Sequence, residues 1–159
     1  MGMGSQRMIA HFDLDAFFVS VECLLDPTLK GIPLAVGGQS DRSVIAACSY
    51  EARKYGVHSA MPVRNAVKLC PNLKIVSGTR GAYSHYSRLV TEMIANAAPV
   101  FEKASIDEFY IDLSGMDRYF KPLEWTLALR EKIIKETSLP ISLGMGSNKM
   151  IAKIATDAA

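Results

Sequence analysis

At 159 residues, 49% of them hydrophobic, the chain is long enough for one or two small domains with a buried core. No apolar run approaches the roughly 20 residues needed to span a bilayer and no secretory pattern is present, so a cytoplasmic protein with no membrane partner is expected. The net charge of +2 is unevenly spread: residues 31–80 carry seven basic and two acidic side chains, against two and four in residues 1–30 and nine and ten in residues 81–159.

Residues 1–7 read as a tag or a disordered start and stand outside the fold. Ile9 to Leu14 alternates as a strand, with Ala10, Phe12 and Leu14 on one face and His11 and Asp13 on the other. Phe17, Phe18, Val21, Leu24 and Leu25 then follow helical spacing up to the break at Asp26-Pro27. Pro33 to Val36 and Val44 to Cys48 predict a small hairpin around a Gly-Gly turn and a polar loop. Two short helices follow, Tyr50 to Gly56 and Pro62 to Leu69, and then a strand over Leu73 to Val76.

A long amphipathic helix runs from Tyr83 to just before Pro99. Val100 to Ala104 and Phe109 to Leu113 form the arms of a β-hairpin. On its second arm Phe109, Ile111 and Leu113 face one way, and Glu108, Tyr110 and Asp112 the other. Leu123 to Thr137 is a further amphipathic helix, with Trp125 read as a packing residue. Pro140 leads into a strand over Ile141 to Met145, and Asn148 to Ala159 closes the chain as a helix. Gly144 to Ser147 is glycine-rich before that helix, as a phosphate-cradling loop would be, but lacks the GxxxxGK[ST] spacing. The economical arrangement is α+β, an α/β sandwich: an antiparallel sheet with helices on one face, an acidic open face, and a small inserted subdomain.

If the first strand and the hairpin are neighbours, Asp13, Asp107 and Glu108 converge on the open face. Three carboxylates without matching cations in sequence repel one another unless a cation neutralises them, and oxygen-only ligands favour Mg²⁺ or Mn²⁺ over zinc or copper. Two such ions about 3.5–4 Å apart serve phosphoryl transfer by activating the attacking oxygen and stabilising the leaving one. The basic insert suits a polyanionic ligand. Cys23, Cys48 and Cys70 form no CxxC pair and His11, His58 and His85 show no ligand spacing, which argues against a zinc site or a disulfide framework.

His11-Phe12-Asp13-Leu14-Asp15-Ala16-Phe17-Phe18, Ser49-Tyr50-Glu51-Ala52-Arg53, Ser105-Ile106-Asp107-Glu108 and the segment from Gly144 through Lys153 together resemble the Y-family translesion DNA polymerases, most closely the DinB or DNA polymerase IV branch. The resemblance implies a palm made of residues 8–30 and 79–159 and fingers made of residues 31–78, with the family's thumb and little-finger domains lying beyond Ala159. It implies that Asp13, Asp107, Glu108 and the Leu14 carbonyl hold two Mg²⁺ ions, and that Asp13, Asp107 and Glu108 are the catalytic residues. The nucleotide would be held by Phe17, Phe18, Tyr50, Arg53 and Lys153, with Phe18 as the steric gate against a ribose 2′-hydroxyl.

By the same resemblance, Gly38, Val44 and Ala46 roof the nascent base pair, while Ala47 stands where some relatives carry threonine. The implied partners are primer-template DNA, deoxynucleoside triphosphates and, in the longer family members, a sliding clamp. Without the domains that grip the duplex, weak primer-template binding and poor extension are expected. Two other readings remain open from the residues alone. One is a nucleotidyl cyclase on a palm-like sheet, and the other a non-catalytic palm fragment that docks a partner protein.

Overall fold

A computed structural model describes residues 7–158, so residues 1–6 of the expected tag or disordered start lie outside the described residues. In chain order the elements are β1 (Ile9–Leu14), α1 (Phe17–Leu25), β2 (Leu34–Gly37), β3 (Ile45–Cys48), α2 (Tyr50–Arg53), α3 (Val63–Leu69), β4 (Lys74–Val76), α4 (Ala82–Ala97), β5 (Phe101–Lys103), β6 (Glu108–Asp112), α5 (Pro122–Thr137), β7 (Ile141–Gly146) and α6 (Lys149–Ala158). Contacts divide the chain into two units, Met1–Asp15 with Ser84–Ala159, and Ala16–Tyr83. These divisions fall at 15/16 and 83/84, where the sequence reading drew its boundaries at 30/31 and 78/79.

The larger unit is built on one antiparallel sheet in the order β5-β6-β1-β7. Its strands keep the two-residue alternation that the sequence carries. Ala10, Phe12, Phe109 and Ile111 are fully buried on one face. Stripes of α4 (Ser87, Val90, Ile94) and α5 (Thr126, Leu129, Ile133, Thr137) recur at three- and four-residue spacing and are buried in the same unit. Pro122 opens α5, where its missing N–H costs nothing, and Ser138 ends it in the left-handed region at φ 62°.

The opposite face, expected to be open, is covered in part. Helix α6 packs along β7 and β1, which is why His11, on the same face as Asp13, has no exposed surface. Glycine makes that approach possible. A Cβ on Gly144 would fall inside the contact radius of Thr156 N and Ala152 O, and one on Gly146 would lie 2.5 Å from Ile151 Cγ2. The glycine run weighed as a phosphate loop is therefore a strand surface shaped to receive a helix. Ala152 and Thr156, the two buried residues of α6, are the ones that fill it.

The smaller unit carries a three-stranded sheet in the order β3-β2-β4. The predicted β2–β3 pair is antiparallel, with a register shift between Val36 and Gly37, and β4 pairs parallel to β2. Helix α1 belongs here because Val19 packs with Leu29, Leu34 and Val36, and Phe18 and Cys23 border the same cluster. On the other side of the sheet Ala35, Ile45 and Cys48 pack with Ala52, Val63 and Ala66. The three cysteines are free thiols, two of them buried.

Candidate active site

The β1–β6 register sets Asp13 directly opposite Glu108, and Leu14 N–H donates to the Asp107 carbonyl at 2.9 Å. The first strand and the hairpin are thus neighbours, as the carboxylate argument requires. Every influence on Asp13 acts in one direction. Burial, followed by the charges of Asp107, Glu108, Asp15 and Asp157, pushes its carboxyl up from an ordinary 3.8 to about 7. Asp107 accepts the Ser105 hydroxyl at 2.8 Å, which ties the hairpin tip to its own carboxylate.

Glu108 is held differently. His11 Nε2 lies 3.0 Å and Lys153 Nζ 3.3 Å from Glu108 Oε1. Burial pushes the Glu108 carboxyl up, but the hydrogen bonds and charges of His11 and Lys153 outweigh it and leave it below the usual carboxylate range. The hydrogen bond to Glu108, then its charge, raises the Lys153 ammonium above its ordinary value. The other ring nitrogen of His11 meets Thr156 Oγ1 at 2.8 Å, so a buried imidazole spans from α6 to Glu108 and fixes its orientation.

The larger unit therefore brings together Asp13, Leu14, Asp107, Glu108 and Lys153 of the predicted set. Asp15 accepts the Ser142 hydroxyl at 2.6 Å. Sequence reasoning did not assign His11, Ser142 or Thr156 a part. His11 had one usable signal, since alternation puts it on the face of Asp13.

These donors suit a hard divalent cation: they are carboxylate oxygens whose mutual repulsion is already visible at Asp13. Among the described residues, no three His, Cys, Asp or Glu side chains are drawn into a ready-made metal cage. Glu108 instead satisfies itself with Lys153 and His11.

Phe17, Phe18, Tyr50 and Arg53 lie on the smaller unit. Ser49 caps α2 by accepting Ala52 N–H at 3.2 Å, and its hydroxyl also accepts Leu34 N–H at 2.9 Å. One hydroxyl thus anchors the start of α2 to β2. Four residues of helix then present Tyr50 and Arg53 to solvent, with the Arg53 guanidinium 4.9 Å from the centre of the Tyr50 ring. Phe17 is buried, and the Phe18 ring meets it edge-on at 5.5 Å. Trp125, read as packing, stacks on Phe120 at 5.7 Å.

No described helix is long and apolar enough to cross a membrane. The impB/mucB/samB family model matches residues 12–157. The chain is 43% identical over 155 residues to DNA polymerase IV of Treponema denticola, covering 97% of this chain and 39% of that protein. It is 44% identical over 161 residues to DNA polymerase IV 2 of Mesorhizobium japonicum, covering 99% and 37% respectively. The fold matches the crystal structure of DinB from Sulfolobus solfataricus with a TM-score of 0.89 at 30% identity, over 96% of this chain and 46% of that one. An insertion ternary complex of Dbh DNA polymerase matches with a TM-score of 0.88 at 30% identity, over 95% and 46%. The chain thus spans about 40% of the length of the curated relatives it matches. With the carboxylate motifs on one sheet face and a family match across nearly its whole length, this chain belongs to the impB/mucB/samB family, the Y-family polymerase domain its motifs resemble.

Proposed function

We propose that this chain is the nucleotidyl-transfer portion of a template-directed DNA polymerase of the translesion class, adding a deoxynucleotide to a primer 3′-hydroxyl. The observation that carries the reading is Asp13, set opposite Glu108 and pushed up to about 7 by burial and by Asp107 and Glu108. So costly a grouping of acids on a strand is expected where phosphoryl chemistry needs bound cations. The relatives named DNA polymerase IV, and the ternary complex among its structural neighbours, support DNA and deoxynucleoside triphosphates as partners.

In this reading Asp13, Asp107 and Glu108, with the Leu14 carbonyl, hold two Mg²⁺ ions, Mn²⁺ being the alternative. When bound, such ions supply activation of the attacking hydroxyl and stabilisation of the leaving pyrophosphate. The residues themselves do the rest. Ser105 orients Asp107, and His11 orients Glu108. Lys153 leaves Glu108 to offset triphosphate charge together with Tyr50 and Arg53. Phe18 excludes a 2′-hydroxyl at the sugar, and Phe17, whose ring is buried, belongs to the nucleotide site from behind it. Residues 8–30 and 79–159 act as palm and 31–78 as fingers, in a cytoplasmic protein that takes primer-template DNA and, in the longer family members, a sliding clamp as partners.

The test is equilibrium binding of the templated deoxynucleotide in the presence of primer-template and Mg²⁺, compared with Asp107→Ala. Binding that needs both the metal and Asp107 is expected, with extension by this chain weak. Binding indifferent to both, or conversion of a nucleoside triphosphate to a cyclic product without DNA, would overturn the proposal.

A further inference from the structure

Glu22 is a carboxylate only 5% exposed, on the helix that starts with Phe17 and Phe18. Nothing in the proposed chemistry uses it. It is nevertheless fully engaged, and by one short segment. Its Oε1 accepts the Thr79 hydroxyl at 2.8 Å, and its Oε2 accepts both Thr79 N–H at 3.1 Å and the Tyr83 phenol at 2.6 Å. Burial, then the bond to Glu22 and its charge, raises the Tyr83 phenol above its ordinary pKa, so it stays a donor.

The other end of Tyr83 touches Phe18. The two rings meet edge-to-face, with centroids 4.8 Å apart at 85°, and Phe17 lies 6.2 Å from the same tyrosine. Phe18 and Glu22 are four residues apart and therefore share a helix face, about one turn of 5.4 Å from each other. A tyrosine is long enough to cover that turn, with its ring on Phe18 and its hydroxyl on Glu22. Gly78 keeps the space clear, since a Cβ there would lie 3.0 Å from the Tyr83 hydroxyl and 3.1 Å from its ring.

We propose that Glu22 is a positioning residue for sugar discrimination: by fixing Thr79 and the Tyr83 hydroxyl it holds the tyrosine ring as a buttress against Phe18, so that Phe18 cannot yield to a ribose 2′-hydroxyl. The inference rests on the reading of Phe18 as the steric gate. An aromatic side chain alone can swing about χ1, and a gate that swings admits the larger sugar. A buttress anchored at both ends removes that freedom.

The experiment measures binding of dATP and ATP opposite template thymine, with primer-template and Mg²⁺, in the 159-residue chain and in Glu22→Gln, Tyr83→Phe, the double variant and Phe18→Ala. Glu22→Gln keeps the shape but removes the negative charge and leaves one accepting oxygen where there were two, so the bonds from Tyr83 and Thr79 lose their charge assistance. The preference for dATP over ATP should fall about tenfold, the scale of one charge-assisted hydrogen bond, through tighter ATP binding with dATP changed less than about threefold. Tyr83→Phe should give a similar loss, and the double variant little more than either alone, because both cut the same link.

A preference unchanged in both single variants would overturn the inference. So would equal weakening of dATP and ATP, which marks a residue that only supports the fold. If Phe18→Ala keeps the full preference, or the parent chain shows none, the gate reading fails and the buttress falls with it. Loss in Phe18→Ala with none in Glu22→Gln overturns the buttress alone.

Discussion

The state of Asp13 makes a prediction opposite in sign to the usual cost of mutating an active-site residue. Its carboxyl stands at about 7 in the folded chain against an ordinary 3.8. The fold therefore holds that proton more tightly than the unfolded chain does. Below about pH 4 the carboxyl is protonated in both states and costs nothing. Between about pH 4 and pH 7 the unfolded chain releases the proton while the folded one retains it, so stability falls as pH rises, and above pH 7 the whole penalty is present. The full difference corresponds to about 4 kcal/mol at 1.36 kcal/mol per pH unit. Asp13 is only half-buried, and discounting for solvent screening leaves about 1–2 kcal/mol. In a chain of this length that is about 3–6 °C in Tm. Asp13→Asn, nearly the same shape without the charge, should therefore melt about 3–6 °C above the parent at pH 8, and at the same temperature near pH 4. It should also lose Mg²⁺-dependent nucleotide binding. Mg²⁺ should raise the parent's Tm at pH 8 and leave Asp13→Asn unmoved. Calorimetric melts of both proteins at the two pH values, with and without Mg²⁺, decide it. An Asn variant no more stable than the parent at pH 8 would refute the argument that Asp13 is held in an electrostatically costly site.

Gly144→Ala drives a methyl into the backbone of α6 at Thr156 and Ala152, neither of which can rotate away, so a loss of about 3 kcal/mol is expected in urea unfolding. Thr156→Val removes the hydroxyl that meets His11 Nδ1 at 2.8 Å; it should cost about 1–2 kcal/mol and weaken Mg²⁺-dependent nucleotide binding, read by calorimetry and titration on one preparation. Ser49→Ala strips the cap from α2 and a partner from Leu34 N–H together, which should lower stability by about 1–2 kcal/mol and weaken triphosphate binding through Tyr50 and Arg53, with unchanged affinity refuting the placement of that clamp.

What the sequence made readable is what repeats locally. Alternation over Ile9–Leu14 and Glu108–Asp112 separated a packing face from an acid-bearing one; burial follows it over Glu108–Asp112, while on β1 helix α6 buries His11 on the acid-bearing face as well. The acids stood out because a carboxylate on an otherwise apolar strand has no local reason to be there. Breaking residues fixed most helix ends to within a residue or two, as Asp26-Pro27 did after α1, whereas α2 stops at Arg53, three residues short of the Gly56 expected to end it. The parallel pairing of β4 with β2 was not readable, because a three-residue strand carries no mark of its direction.

What stayed hidden are residues whose reason lies on another element. Gly144 and Gly146 could only be weighed as a ligand loop and discounted on spacing, because glycine before a helix has two explanations, room for a phosphate or room for a helix. Only the position of Ala152 and Thr156 chooses between them. His11 was visible as a residue on the acidic face but not as a link, because its partners lie 97 and 145 residues away. Glu22 was less visible still, one acid on a helix whose partners, Thr79 and Tyr83, come 57 and 61 residues later. In each case the candidate site residues were legible and the groups that contact them were not. Chemistry constrains the type of a reacting residue, and type survives in the sequence. Orientation constrains only a distance, which many pairs of types can satisfy. The residues that contact Phe18 and Glu108 are therefore the ones for which structure adds most to the sequence, and the ones whose substitution should alter selectivity and geometry before it alters the reaction.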